Sequence, residues 1–247
     1  MRSFFAFLKK EFMEGARSFK IIGILAIFGA FMFLPMLYVL LNSLKPMDEL
    51  WIFPPRFYVV SPTLENFRTL FSLMSDSWVP FSRYIFNTVF ISVLGTFGNL
   101  MLSSMAAYAL AKIPFPGHKW MFKLIRTALM FSSTVTSIAN FITMSILGWV
   151  DTYWAIIIPA FGSTLGLYLM KQFMDSNVSS AVLESARLDG ASEMKTFWTI
   201  AMPMVKPAWL TLIIYCFQGL WNADASPYVY SEELKTLNYA IGQITAG

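Results

Sequence analysis

Residues Tyr84–Ala111 read YIFNTVFISVLGTFGNLMLSSMAAYALA, and no charged side chain interrupts them. About 20 such residues suffice to cross the hydrocarbon core of a bilayer as a helix. The small residues Gly95, Gly98, Ser103, Ser104, Ala106, Ala107, Ala109 and Ala111 let neighbouring helix backbones approach closely in lipid, so this helix is expected at the centre of a bundle. Working outward, uncharged runs of comparable length occupy Ile21–Leu44, Thr127–Val150 and Thr152–Met170, with a shorter fifth at Ala208–Ala223. The reading is an all-α membrane protein with five spanning helices. Pro35 would kink the first span, and Gly162 with Gly166 forms a GxxxG packing device in the fourth.

Composition agrees. Hydrophobic residues make up 57% of the 247 and charged residues 13%, with a mean hydropathy of +0.59. Soluble domains carry about 25% charged residues. The net charge of +4 is explained by loop enrichment in Lys and Arg rather than by nucleic acid. Arg2, Lys9, Lys10, Arg17 and Lys20 precede the first span. Lys112, Lys119, Lys123 and Arg126 follow the second, and Lys171, Arg187, Lys195 and Lys206 follow the fourth. These three segments hold most of the basic residues, so the N-terminus is expected in the cytoplasm, and five spans leave the C-terminus outside. Residues 1–20, with Phe4, Phe5, Phe7, Leu8, Phe12 and Met13 among charges, read as an amphipathic interfacial segment ahead of a transmembrane domain over 21–247. An uncleaved anchor fits this start better than a signal peptide, because the apolar run is too long and no small-residue cleavage site follows it.

Catalytic and metal chemistry find little material. Cys216 is the only cysteine and His118 the only histidine, which excludes an internal disulfide and a metal cluster of several histidines. No G-x-x-x-x-G-K-[ST] phosphate loop occurs. The loop Lys45–Arg83, with Pro46, Pro54, Pro55, Pro62 and Pro80, reads as a structured cap at the membrane surface.

Glu184-Ser185-Ala186-Arg187-Leu188-Asp189-Gly190-Ala191-Ser192 stands between the fourth and fifth apolar runs. Asn177, Ser179 or Ser180 can cap a short helix whose apolar side is Val182, Leu183 and Ala186. Asp189-Gly190 breaks that helix, and Ser192 can cap a second running through Phe197 and Trp198 towards Pro203. The product is a cytoplasmic elbow over 177–206, whose Ser185, Ala186, Gly190 and Ala191 are small enough to enter a partner's groove. On physical grounds alone a solvated amphipathic loop reads the same way.

These residues, followed by Phe197 and Pro203, resemble the EAA loop of ATP-binding-cassette importer permeases. The chain is similar to the maltose-type carbohydrate permeases over nearly its whole length. The similarity includes Pro62-Thr63-Leu64-Glu65-Asn66-Phe67 with Leu70-Phe71, then Asn87-Thr88, Ala106–Ala111, Phe115-Pro116-Gly117, Trp221-Asn222 and Pro227. It departs from the pattern at Ser185, where the family has Ala, and at Asn177-Val178, where it has Ile-Pro. The resemblance implies a type I importer permease bundle in a bacterial or archaeal inner membrane, with a sixth span beyond Gly247 that would return the chain to the cytoplasm. It implies an ATPase dimer as partner, carrying the ATP and Mg that this chain has no site for. A second homologous permease and an extracytoplasmic solute-binding protein complete the implied assembly. The coupling residues would be Glu184, Ser185, Ala186, Arg187, Asp189, Gly190 and Ala191.

A sugar path needs aromatic faces and neutral hydrogen-bonding groups. The spans offer Asn87, Asn99, Ser133, Thr136, Asn140, Thr143, Trp149, Tyr215 and Trp221, with Asn87, Asn140, Tyr215 and Trp221 the first candidates. An ATP-independent secondary transporter or channel is the alternative. It would be expected to place Asp, Glu, Lys or His at membrane depth, and these spans hold none. A membrane-embedded enzyme is more distant, since Asp151, Asp175 and Glu184 fall in loops without a metal cluster beside them.

Overall fold

The computed structural model describes the backbone of residues 2–75, 79–131, 133–225 and 227–246, and the side chains of these from residue 21 onward except 71, 73–75, 133–135 and 246. Every regular element among them is helical. The chain forms two compact units, Met1–Ser77 and Trp78–Gly247.

The first unit contains α1 (Arg2–Ser43), α2 (Met47–Leu50) and α3 (Glu65–Ser75). The backbone of residues 2–20 is continuous with the span, forming one helix with Pro35 inside it. The amphipathic character expected of residues 1–20 lies outside the described side chains. Ile21–Ser43 is 23 residues long, with a mean hydropathy of 2.5. At 1.5 Å per residue it extends about 34 Å, enough for the hydrocarbon core.

The second unit is built around α4 (Phe81–Lys112). It continues through α5 (His118–Ala128), α6 (Ser133–Ile146), α7 (Trp154–Phe161), α8 (Thr164–Asn177), α9 (Ser180–Leu188) and α10 (Glu193–Thr196). A π-helical turn, Phe197–Ala201, then leads through α11 (Met202–Met204) to α12 (Lys206–Trp221) and α13 (Leu237–Ala246). Helix α4 packs against α7, α8, α12 and α13. Its buried face is mostly small or polar, with Asn87, Thr88, Ser92, Gly95, Thr96, Asn99, Ser103, Ser104 and Ala107 beside the larger Tyr84, Ile91, Leu100, Tyr108 and Leu110, while Phe86, Val93, Phe97 and Leu102 point outward. This is the membrane pattern: lipid accepts large apolar groups, and close helix contact needs small ones. A Cβ on Gly98 would stand 2.0 Å from the Phe161 ring, and one on Gly95 would stand 2.5 Å from Leu220 Cδ1.

The five expected spans are realised unevenly. Phe81–Lys112 and Trp154–Asn177 are long and apolar enough to cross a membrane, as is Ile21–Ser43. Trp154–Asn177 is divided into α7 and α8 at Gly162, where Ser163 accepts a capping hydrogen bond from Gly166 N–H at 3.0 Å. The run Thr127–Val150 is shared between α5 and a 14-residue α6. Beyond α6, Gly148 and Asp151 take positive φ of 68° and 61°. Ala208–Ala223 falls in α12, which forms an 84° bent pair with the segment Glu193–Met204. Pro207 at the start of α12 has no N–H to continue a straight helix through the bend. The GxxxG is also asymmetric. A Cβ on Gly166 would meet Leu212 Cδ1 at 2.8 Å and Asn99 Oδ1 at 3.2 Å, whereas one on Gly162 has only a carbonyl at 3.7 Å.

Candidate functional site

The elbow forms where expected, and its construction is specific. Val178 is buried at the end of α8, Ser179 stands in extended conformation at the start of α9, and Asn177 turns back to donate to Phe173 O. Helix α9 ends in a paired backbone cap. Gly190 N–H donates to Arg187 O at 3.0 Å and Ala191 N–H to Ala186 O at 2.9 Å, with Gly190 at φ +78°. This is the Schellman arrangement, in which the left-handed residue satisfies two final carbonyls and is best supplied by glycine. Ser192 caps α10 by accepting from Lys195 N–H at 3.4 Å.

Burial divides the elbow residues. Leu183 (1% exposed) joins a core with Tyr108, Met170, Met174, Val178 and Phe197, and Ala186 is buried as well. Ala186 is therefore an anchor and not part of the outer surface, and Val182, expected on the apolar side, is exposed. Glu184, Ser185, Arg187, Asp189 and Gly190 are exposed, and Ala191 is half-buried. Leu188 is 89% exposed at the tip, an apolar group that the small-residue pattern did not single out.

Glu193 was also missed by the sequence reading. Arg187 Nε donates to Glu193 Oε1 at 2.6 Å and Arg187 Nη2 to Oε2 at 3.3 Å, a two-pronged pair across the turn. Tyr108 Oη donates to the same carboxylate at 3.0 Å. Hydrogen bonding to Glu193 raises the Arg187 pKa above its ordinary value. The only sequence signal for Glu193 was its place in the first turn after Ser192, where an acid favours the helix dipole.

The substrate-path candidates do not converge. Asn87 is fully buried; its Nδ2 donates to Glu233 O and Lys235 O at 2.8 Å each, and its Oδ1 accepts from Tyr153 Oη at 2.8 Å. Its amide braces the chain and, being fully buried, presents no surface to a solute. Asn140 is exposed on α6, Tyr215 is 62% exposed on α12, and Trp221 is half-buried with its ring 5.5 Å from Phe217. Tyr215 borders a cavity of about 300 Å³ with Asn99, Ser163 and Gly166. Asn99 donates to Ala160 O at 2.6 Å, while its buried Oδ1 has no partner. Ser133 lies outside the described side chains. Among the described residues no group of three metal-ligating side chains occurs.

Asp151 forms a second node. Its Oδ1 accepts from Tyr230 N–H at 2.9 Å and Ser231 N–H at 2.8 Å, its Oδ2 accepts from the Ser231 hydroxyl, and its own N–H donates to Tyr228 O at 2.8 Å. These bonds, the Ser231 hydroxyl foremost, hold its pKa below the ordinary carboxylate value.

Together these features define a membrane-spanning helical bundle, among the described residues, with a projecting elbow. Residues 99–230 match the family described as binding-protein-dependent transport system inner membrane component. Protein LplC of Bacillus subtilis is 32% identical over 224 residues, covering 88% of this chain and 72% of the relative. The polygalacturonan/rhamnogalacturonan transport system permease protein YtcP of the same organism is 30% identical, covering 85% of this chain and 71% of its own. A crystal structure of a bacterial ABC transporter involved in import of the acidic polysaccharide alginate shares the fold, with a TM-score of 0.77 at 24% identity over 93% of this chain and 81% of that one. The chain belongs to the binding-protein-dependent transport system inner membrane component family. It is a multi-pass inner-membrane permease subunit of an ATP-binding-cassette importer, a transport component and not an enzyme.

Proposed function

We propose that this chain forms one half of a translocation path for a sugar or oligosaccharide, paired with a second homologous permease and fed by an extracytoplasmic solute-binding protein. Relatives named for polygalacturonan/rhamnogalacturonan and arabinooligosaccharide transport support that substrate class. ATP and Mg are held by a partner ATPase dimer, and the elbow Glu184–Ala191 passes its closure into the bundle. The observation that carries this reading is the division of the elbow: Leu183 and Ala186 sit in the core while Leu188 projects outward at 89% exposure. An element keyed into a bundle on one side and bare on the other suits the transfer of force. Glu184, Ser185, Arg187, Asp189, Gly190 and Ala191 present the contact, and Ala186 holds it from within.

The N-terminus and the elbow lie in the cytoplasm in this reading, which the distribution of Lys and Arg supports. Tyr215, Asn140 and Trp221 remain the path candidates, because each keeps surface outside the core, whereas Asn87 does not.

The test is affinity purification of the tagged chain from its native membrane, beside a Glu184→Ala, Gly190→Val variant. The reading expects an ATP-binding-cassette ATPase and a second permease to co-purify, with the ATPase depleted in the variant. Full retention of the ATPase by the variant would remove the elbow from the contact.

A further inference from the structure

The segment between α2 and α3 carries an aromatic surface that transport does not account for. Trp51 is 83% exposed, Phe53 92%, Phe57 63% and Tyr58 62%. Four large rings bare to water within eight positions are unfavourable unless something apolar covers them.

Their position relative to α1 points to what covers them. The segment is closed at its base, where Thr63 N–H donates to Leu44 O at 2.9 Å and Asn66 Nδ2 donates to Ser43 O at 3.0 Å and Lys45 O at 2.7 Å. From that base it folds back along the helix, and the Phe57 ring lies 5.1 Å from the ring of Tyr38. Tyr38 precedes the end of α1 at Ser43 by five residues, about 7.5 Å of helix. Phe57 is therefore level with the last turns of a membrane-spanning helix and not above them.

The charges agree. Lys45 is 2% exposed, with Nζ bonded to Arg56 O and 5.6 Å from the Tyr38 ring centre. Glu49 is 8% exposed, its carboxylate accepting from Val60 N–H at 2.9 Å and Ser61 N–H at 3.4 Å. Both ions are turned inward. Between residues 50 and 60 the one formal charge is Arg56, whose guanidinium lies 5.9 Å from the Tyr58 ring centre. Aromatic rings with a single cation suit the headgroup layer, where Trp and Tyr are enriched and Arg can reach phosphate.

We infer that residues 50–60 are an interfacial anchor that seats Trp51, Phe53, Phe57 and Tyr58 in the phospholipid headgroup layer around the end of α1. The anchor fixes the depth of that helix. It also confines any contact of this loop with a solute-binding protein to residues other than these.

The intact transporter in phospholipid nanodiscs tests this. Comparing the wild type with Trp51→Phe isolates the Trp51 emission, and the substitution keeps an apolar ring. Phosphatidylcholine brominated near the headgroup end of its chains is expected to quench that emission roughly twofold more than lipid brominated near the terminal methyl, with aqueous iodide having little effect. Iodide quenching without bromolipid quenching would overturn the anchor and assign the surface to an aqueous partner. Protection from both quenchers, lost only when the second permease is omitted, would overturn it in favour of a protein contact.

Discussion

The Tyr108 hydroxyl donates to the Glu193 carboxylate at 3.0 Å, across 85 positions of sequence, and ties helix α4 to the foot of the elbow. Tyr108 is buried, with its ring 5.4 Å from Phe197 in an edge-on contact. The same carboxylate holds Arg187 at the elbow's end, so one side chain links the projecting turn to the central helix of the bundle. Tyr108→Phe keeps the ring and removes the bond. A hydrogen bond to a partly exposed carboxylate contributes about 1 kcal/mol, enough to change an equilibrium about fivefold. ATP hydrolysed per molecule of solute taken up by proteoliposomes is expected to rise in Tyr108→Phe and in Glu193→Gln, while the ATPase still co-purifies. An unchanged ratio in both variants would show that the link carries no coupling.

Gly190 is needed for its backbone and not for space. A Cβ there would meet nothing within 4 Å, but φ is +78°. Left-handed geometry costs a residue with a Cβ about 1–2 kcal/mol, and Asn less than a β-branched residue. ATPase retention and uptake should fall in the order Gly190→Asn, Gly190→Ala, Gly190→Val, with Val the most damaging. Equal loss for all three would point to a steric contact with the partner instead.

Leu188 should behave as a docking residue. At 89% exposure it contributes little to folding, so Leu188→Ser is expected to leave the melting temperature of the purified chain nearly unchanged. Losing a leucine buried only in the complex costs ~1.5 kcal/mol or more, roughly tenfold in ATPase affinity. A titration of the ATPase against the reconstituted permease reads this directly, and wild-type affinity would place the contact elsewhere on the elbow.

Gly98 should be intolerant where Gly162 is not. An added methyl at Gly98 overlaps the Phe161 ring at 2.0 Å, whereas at Gly162 it has ordinary clearance of 3.7 Å. Overpacking of this kind costs about 1–3 kcal/mol. Thermal melts in detergent are expected to show a clear drop for Gly98→Ala and little for Gly162→Ala.

Asp151 makes its tether to Tyr230 and Ser231 sensitive to acid. Its folded pKa lies below the unfolded value, so its stabilisation is fully present above the ordinary carboxylate range and is lost as pH falls through the folded pKa. The protection of the Tyr230 and Ser231 amides, measured relative to their intrinsic exchange at each pH, should therefore hold from about pH 5 upward and fall only in stronger acid. Asp151→Asn tolerates the positive φ of 61° but removes the charge, so the two amides should exchange faster at neutral pH. Unaltered exchange in this variant would show that the charge contributes nothing to the tether.

Much of the elbow was legible in the sequence because its signals are local. Ser192 caps α10 and Gly190 takes the left-handed position, as their residue types require. Leu188 was passed over because an apolar residue in a helix pattern normally turns inward, and only the direction of α9 relative to the core shows otherwise. Asn87 is the opposite case. A lone amide in an apolar run looks available, but three groups far along the chain, at Tyr153, Glu233 and Lys235, bond it inside the fold.

The spans show the same boundary. Uncharged runs dictate membrane helices by themselves, since backbone polar groups in lipid must be satisfied within the segment. Their order, with the Glu184–Ser192 motif between the fourth and fifth, was enough to indicate the family. The 84° bend before α12, the inward turn of Ala186, the fold-back of Phe57 onto Tyr38 and the Tyr108–Glu193 bond were decided only by tertiary structure. Composition and periodicity act over a few turns of helix. Which distant groups meet depends on how whole helices pack, and that is not written in any one of them.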